Sequence, residues 1–436
     1  MNNKYDVVIV GTGVAGCFAA LHLPEEYKIL MVTKADLEDS DSFLAQGGIC
    51  VLKNENDYDS FFEDTMRAGH YKNKKESVDI MISHSREVIN ELIAYGVDFE
   101  RENGELCYTK EAAHSTNRIL YHEDITGEAI TKVLLQHVLQ KKNITVKTFT
   151  TMMDVLSREN RCEGVLLKDQ DGSYYPVYAD FVICATGGIG GIYENSTNFP
   201  HLTGDLLAIS LRRNIKLKNI NYVQIHPTTL YSKQKGRRFL ISESVRGEGA
   251  ILYNKDKERF VDELIPRDKL TEAIHKQMEK DGTPFVWLSM ENIENEDIKK
   301  HFPHIYQRCL EEGYDATKEC IPVVPSQHYF MGGVDVDSNS MTSMDCLYAA
   351  GETSCNGVHG RNRLASNSLL ESIVFAKRAA LHIIEENKNK KPVDVPENWE
   401  EAYKIDLNLY KNEEKYAEDC RQAIMEEIKR EELEEA

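Results

Sequence analysis

Arginine and histidine gather in four short motifs of this chain: Gln224-Ile225-His226-Pro227, Ser242-Glu243-Ser244-Val245-Arg246-Gly247-Glu248-Gly249, Pro266-Arg267-Asp268 and Pro325-Ser326-Gln327-His328-Tyr329. Taken singly, each is an ordinary structural hydrogen bonder. Their density is the informative feature, because guanidinium and imidazole groups in one region suit a small dianion, and a guanidinium grips a carboxylate with two parallel bonds. A further stretch, Leu347 to Ser372, carries three chemical groups on one segment. Glu352 follows a short apolar strand and can bond the hydroxyls of a cofactor. Arg363 sits in a loop with Gly357, His359, Gly360 and Arg361, placed to hold a substrate. Ser366-Asn367-Ser368-Leu369 then open a helix that runs through Ile373, Phe375, Ala379 and Leu381. A helix start offers free N–H groups and partial positive charge, which suit an electron-rich ring that becomes anionic.

Groups so far apart in sequence need a scaffold that brings them together. Tyr5 to Val10 is a β-branched, buried strand that feeds Gly11-Thr12-Gly13-Val14-Ala15-Gly16, and Phe18, Ala19 and Leu21 continue as a helix towards a second strand, Tyr27 to Thr33. In this strand–turn–helix–strand context the glycines allow a pyrophosphate to approach the helix start, so a dinucleotide is expected. The second strand ends in Thr33-Lys34-Ala35-Asp36 without the usual ribose-binding acid, which weakens a plain NAD reading. Gln46-Gly47-Gly48 suggests that something flat lies against the backbone. Helices are expected over Tyr58–Ala68, over Glu76–Tyr95 with Gly96 as its stop, and over Asp124–Leu139. Ile144–Phe149 and Met153–Ser157 read as strands. Gly164–Lys168 and Tyr174–Tyr178 read as a hairpin, and Ala179–Ile183 as another strand entering Ala185-Thr186-Gly187-Gly188, a second backbone approach to the dinucleotide. A helix follows from Asp205 to Arg212.

These elements give an α/β class: a Rossmann-like dinucleotide-binding domain built from non-contiguous segments (1–219 and 330–390), an inserted α+β capping domain that holds the substrate (220–329), and a linker with a short acidic helical tail (391–436). A chain of 436 residues with a net charge of -20 argues against nucleic acid and anionic membranes as partners. The ten cysteines form no C-x-x-C pair, so neither a disulfide frame nor a metal site is read. No run reaches the ~18 apolar residues of a membrane span, and the first strand leaves no room for a signal peptide. A soluble cytoplasmic protein is expected.

In order, GTGVAG, AQGGI, TKEAAHS, ATGGIGG, QIHPT, SESVRGEGA, PRD, QHYFMGG and GRNRLASNSLLES resemble the flavoproteins of the succinate dehydrogenase, fumarate reductase and L-aspartate oxidase superfamily, and look most like its L-aspartate oxidase branch. The resemblance implies FAD as cofactor. The dehydrogenases place a histidine near AQGG that bonds covalently to the flavin; Asp41 stands there instead, so a non-covalent flavin is expected. It further implies that Gly11, Thr12, Gly13, Val14, Ala15 and Gly16 meet the pyrophosphate and Lys34 the adenosine half. Asp41, Ser42, Phe43, Leu44, Ala45, Gln46, Gly47 and Gly48 would follow the ring and ribityl, with Asp205 and Glu352 on hydroxyls and Ser368 and Leu369 at the N1/O2 edge. Arg363, His226, Ser242 and His328, with Gln224 nearby, would hold the substrate's carboxylates. Glu111, in the TKEAAHS motif, would hold an amine, and Arg267 would orient the substrate and stabilise charge. The implied reaction is oxidation of L-aspartate to iminoaspartate by hydride transfer from Cα to the flavin N5. Reoxidation would use O2, giving H2O2, or fumarate. The imine would pass to quinolinate synthase in de novo NAD formation. Two alternatives stand beside this reading: a soluble fumarate reductase or succinate dehydrogenase flavoprotein, and a flavin-binding module without turnover. The family pattern also carries a longer C-terminal helical region than the tail seen here.

Overall fold

A computed structural model describes residues 3–435 apart from 112 and 235. Its larger sheet runs Ile144–Lys147, Ile29–Val32, Lys4–Val10, Tyr174–Cys184, Arg161–Lys168, Thr151–Arg158, and Leu347–Ala349 also pairs with Tyr174–Cys184. The first four of these strands and Leu347–Ala349 run parallel. Their side chains alternate between two apolar cores. Val7, Ile9, Ile29, Met31 and Ile183 face one, while Val8, Val10, Leu30, Val32 and Val182 face the other. Burial on both faces is what a continuous β-branched run requires, and it puts the strands' C-terminal ends along one rim.

Tyr174–Tyr178 and Ala179–Ile183, read separately from the sequence, form one strand, Tyr174–Cys184. Its first half pairs antiparallel with Arg161–Lys168 and its second half parallel with Leu347–Ala349. No turn residue separates Tyr178 from Ala179; the partner changes, and the strand does not break.

A second, antiparallel sheet has the order Phe239–Leu240, Val223–Leu230, Ile321–Phe330, Val286–Ser289, Ile251–Tyr253. The chain enters and leaves it through neighbouring strands, with Val223 opposite Phe330. Pro227 cannot donate to a ladder, and the register shifts between His226 and Thr229. The inserted segment thus forms the capping domain of an α/β fold.

Two devices secure the segments that reach the rim. The helix Thr126–Gln140 starts against the 41–48 loop: Gly127 donates to the Ala45 carbonyl at 2.8 Å, and a Cβ on Gly127 would lie 2.0 Å from the Ser42 oxygen. The loop from 109 to 118 is anchored by Arg118, which is fully buried. Its guanidinium donates to both Asp57 oxygens at 3.1 and 2.9 Å, to Asp64 at 2.7 Å and to Ser60 at 2.8 Å.

Residues after 390 are packed rather than a free linker. Val393, Tyr403, Ile405 and Tyr410 cover Met153, Leu156, Leu166 and Tyr178, and the Tyr410 hydroxyl donates to Asp154 at 2.8 Å. Ile424 and Ile428 of the last helix are buried with Ile189, Ile192 and Leu207. No helix among the described residues is long and apolar enough to cross a membrane.

Gly127→Ala is expected to cost about 2–3 kcal/mol in stability, because the new methyl meets backbone. Gly247→Ala, with nothing within 4 Å of its added Cβ, is the neutral control; thermal midpoints compare the two. Arg118→Met leaves buried Asp57 without its cation and Asp64 with Arg67 alone, and is expected to lose about 3–5 kcal/mol, read from the same melts.

Candidate active site

A continuous cleft runs from the rim of the larger sheet to the capping sheet. One half is made for close backbone approach. Gly11 has φ +118°, and a Cβ there would lie 2.0 Å from the Ala185 oxygen. One on Gly16 would lie 2.1 Å from the Gly11 oxygen. The turn packs tightly on the second glycine strand end and leaves the first turn of the helix Val14–His22 open to the cleft. Ser42 accepts the Val14 N–H at 3.2 Å. Opposite, Gly188 is approached so closely by Glu352 that a Cβ would lie 2.4 Å from its carboxyl oxygen, which accepts the Phe330 N–H at 2.8 Å. Lys34 and Asp205 line the cleft but engage each other at 2.7 Å, with Thr203 donating to Asp205.

Several polar atoms in this half have no partner within the protein. Asp41 accepts the Phe199 N–H at 3.0 Å through one oxygen, while its other oxygen is buried and unbonded, as are Ser40 Oγ and Gln46 Oε1. Burial pushes the Asp41 carboxyl up to about 7, against the pull of the Phe199 amide and Arg237. Tight glycines and buried orphan acceptors together fit a dinucleotide that brings its own hydroxyls and amides. Of the residues expected to touch it, Gly16 supports the turn from behind, and Phe43 does not line the cleft.

The other half holds the basic residues. Arg267, first in the helix Arg267–Asp281, donates to Gln224 Oε1 at 3.1 Å; Arg363 donates to the same oxygen at 3.2 Å and to Ser368 at 3.2 Å. Gln224 is held in turn by donating to Asn362 at 2.8 Å and to the Arg363 carbonyl at 3.0 Å. It lies behind the cleft, as the hinge on which both guanidiniums are hung. Arg363 stacks on the Tyr329 ring at 4.5 Å, and its Nε is buried without a partner. Burial, with Arg267 beside it, lowers Arg363 to about 10.

His226 and His328 meet edge to face, their centroids 5.3 Å apart. The register shift at Pro227 aims the first; Thr197, bonded to His328 Nδ1 at 2.8 Å, orients the second. Burial drives both well below the usual imidazole range, and neighbouring arginines add to it, so both are neutral. Ser242 lines the cleft at the start of the helix Glu243–Gly247.

Glu111 enters from the anchored loop and lines the same cleft. Burial raises its carboxyl, Arg267 opposes that, and Glu243 adds to it. Ser366 donates to Glu111 at 2.7 Å. Ser366 occupies the capping position of the helix Asn367–Glu386, with φ +62°, but its hydroxyl caps nothing.

Three contributors were not singled out from the sequence. Glu243 bonds Arg267 Nε and lies 3.7 Å from Arg246; burial works to raise it, yet these arginines hold it below its ordinary value. Its signal was an acid three residues before Arg246 in the Ser242–Gly249 motif. Tyr329 is the shelf for Arg363, and Thr197 the orienter of His328; neither carries a sequence signal of its own.

Residues 6–369 match the FAD binding domain family. The chain is 50% identical over 384 residues to an L-aspartate oxidase of Clostridium perfringens, covering 88% of this chain and 87% of that protein. It is 48% identical to one of Clostridium acetobutylicum, covering 88% of each. Among solved structures it is similar to E. coli quinol fumarate reductase FrdA, with a TM-score of 0.84 and 29% identity over 92% of this chain and 72% of that one. Mycobacterium smegmatis Sdh1 gives 0.83 and 28% over 97% and 76%. The resemblance read from the motifs is borne out, and FAD is the group that the glycine cradle fits: the chain belongs to the L-aspartate oxidase family of FAD-binding flavoproteins.

Proposed function

We propose that this protein oxidises L-aspartate to iminoaspartate with FAD, the carrying observation being two guanidiniums, buried Arg363 and half-buried Arg267, that converge on one amide oxygen with a carboxyl across the same cleft. Converging like charges are favourable only with an anion between or beside them. Arg363 has an unbonded Nε to offer, and Ser242 and the neutral His226 and His328 can hydrogen-bond a second carboxylate without adding charge. That set suits a four-carbon dicarboxylate. Glu111 distinguishes aspartate from succinate, because an ammonium between the carboxylates needs an acid and a plain dicarboxylate is repelled by one.

FAD held along the glycine cradle supplies the acceptor of a hydride. The residues of this chain fix the pose. Arg363 and the histidine side hold the two ends of the substrate, and Glu111 holds its nitrogen, so the Cα–H is presented in one orientation. Arg267 is locked by Glu243 on one side and Gln224 on the other, and stabilises charge; an arginine is a poor free base. Aspartate gives up its Cα hydrogen with the bonding pair, its nitrogen gives up a proton, and a C=N bond forms. O2, giving H2O2, or fumarate then takes up the two electrons. Asp41 makes no covalent link, so the cofactor is released on denaturation. The imine is handed on to quinolinate synthase, as the first step of de novo NAD formation in the cytoplasm.

Anaerobic mixing tests the reading through flavin absorbance. L-aspartate is expected to bleach it rapidly, D-aspartate and succinate slowly or not at all; equal bleaching by succinate would favour the dicarboxylate enzyme instead. Glu111→Gln is expected to lower kcat/KM for L-aspartate by about 10- to 100-fold, the worth of a hydrogen bond between charged groups, and to leave fumarate reduction nearly unchanged. The pH profile checks the same group. A carboxyl raised by burial stays protonated to higher pH, so kcat/KM for aspartate should climb as pH rises through the raised pKa. That acid limb should vanish in Glu111→Gln, and its persistence would assign the limb to another residue.

A further inference from the structure

Away from the cleft, one cluster joins the two sheets' bodies. Glu123 and Asp124 end the loop before the helix Thr126–Gln140, on the FAD-binding side. His304 lies in the first turn of the helix Pro303–Glu311, on the capping side. One carboxylate oxygen from each acid and one imidazole nitrogen lie within 4.8 Å of one another. His304 Nε2 is 3.3 Å from Asp124 Oδ1.

Asp124 is the unusual member. It is 8% exposed, and neither of its carboxyl oxygens has a hydrogen-bond partner. A buried carboxylate that makes no hydrogen bond, beside a second acid and with only the His304 imidazole at 3.3 Å, is stabilised when a cation joins it. Exposed Glu123 and half-exposed His304 can both swing towards it. Nitrogen and oxygen bonds of about 2.0–2.2 Å set tetrahedral ligand atoms roughly 3.4 Å apart; His304 and Asp124 already stand at 3.3 Å, so exposed Glu123 makes any remaining shift.

We infer that Glu123, Asp124 and His304 form a binding site for a divalent cation of the zinc class, which clasps the capping domain to the FAD-binding domain. One imidazole with two carboxylates suits Zn2+ and its borderline neighbours, whereas Ca2+ and Mg2+ favour oxygen-only sets. Two ligands stand on one body and one on the other, so an occupied site resists separation of the two walls that enclose the cleft. The clasp therefore slows passage of substrate and product and leaves the groups inside the cleft untouched.

The test uses FAD-loaded protein stripped with a chelator and titrated with Zn2+ alone by calorimetry. One equivalent is expected, bound at least tenfold more weakly by His304→Ala and by Glu123→Gln, neither of which lines the cleft. Cobalt substitution should give bands of nitrogen and oxygen ligation. Zn2+ should lower kcat of the unaltered protein and not that of His304→Ala. No binding, equal binding by both variants, thiolate bands assigning the metal to a cysteine, or binding without any effect on kcat would each overturn the clasp.

Discussion

Everything in the cleft depends on Arg267 and Arg363 sharing the Oε1 of Gln224. Two cations are drawn together out of water onto a neutral acceptor, which cannot cancel their charge. The surrounding structure must therefore hold them there. Glu243 and Ser368 take further donors, Tyr329 offers its π face, and Gln224 is pinned through its own amide to the Arg363 carbonyl. The result is a positively charged, water-poor pocket inside a chain with a net charge of -20. Overall charge reports on bulk partners; the local field reports on the ligand.

The same constraint explains the division of the chain. Arg363 belongs to the segment that returns to the larger sheet, while Gln224, Glu243 and Arg267 belong to the inserted one. Neither body contains the constellation alone. The paired strands that begin and end the insertion, joined at Val223 and Phe330, bring His226 and His328 to one place directly. A two-strand stem thus sets both the path of the chain and the position of its imidazoles.

Much of this was legible in the sequence because it rests on local rules. Apolar strands, the glycine turn and the stop at Gly96 announce themselves through period and φ; Gly96 has φ +100°. The motif clusters signalled the pocket, and a family resemblance assigned tasks within it. What stayed hidden needs three dimensions. One strand that changes partners at Tyr178 reads as two, because pairing is not written in composition. The packing of Tyr403 and Tyr410 against the back of the sheet lies in a polar stretch that looks like a linker. Lys34 and Asp205, each assigned separately to the nucleotide, turn out to be bonded to each other. Glu243 is one of two acids flanking Arg246 in its motif, and its charge is meaningful only once Arg246 and Arg267 surround it.

Ser366 carries a consequence for how selectivity can change. Its hydroxyl is committed to Glu111, and its left-handed backbone is the first residue of the turn that leads into Ser368 and Leu369. Acid and helix start are therefore coupled parts. Loss of every acceptor at 111, as in alanine though not glutamine, would free the Ser366 donor and relax the turn that opens the helix Asn367–Glu386. Conversion from an amino-acid pocket to a plain dicarboxylate pocket thus calls for paired replacements, at 111 and 366 together, since either alone leaves its former partner stranded.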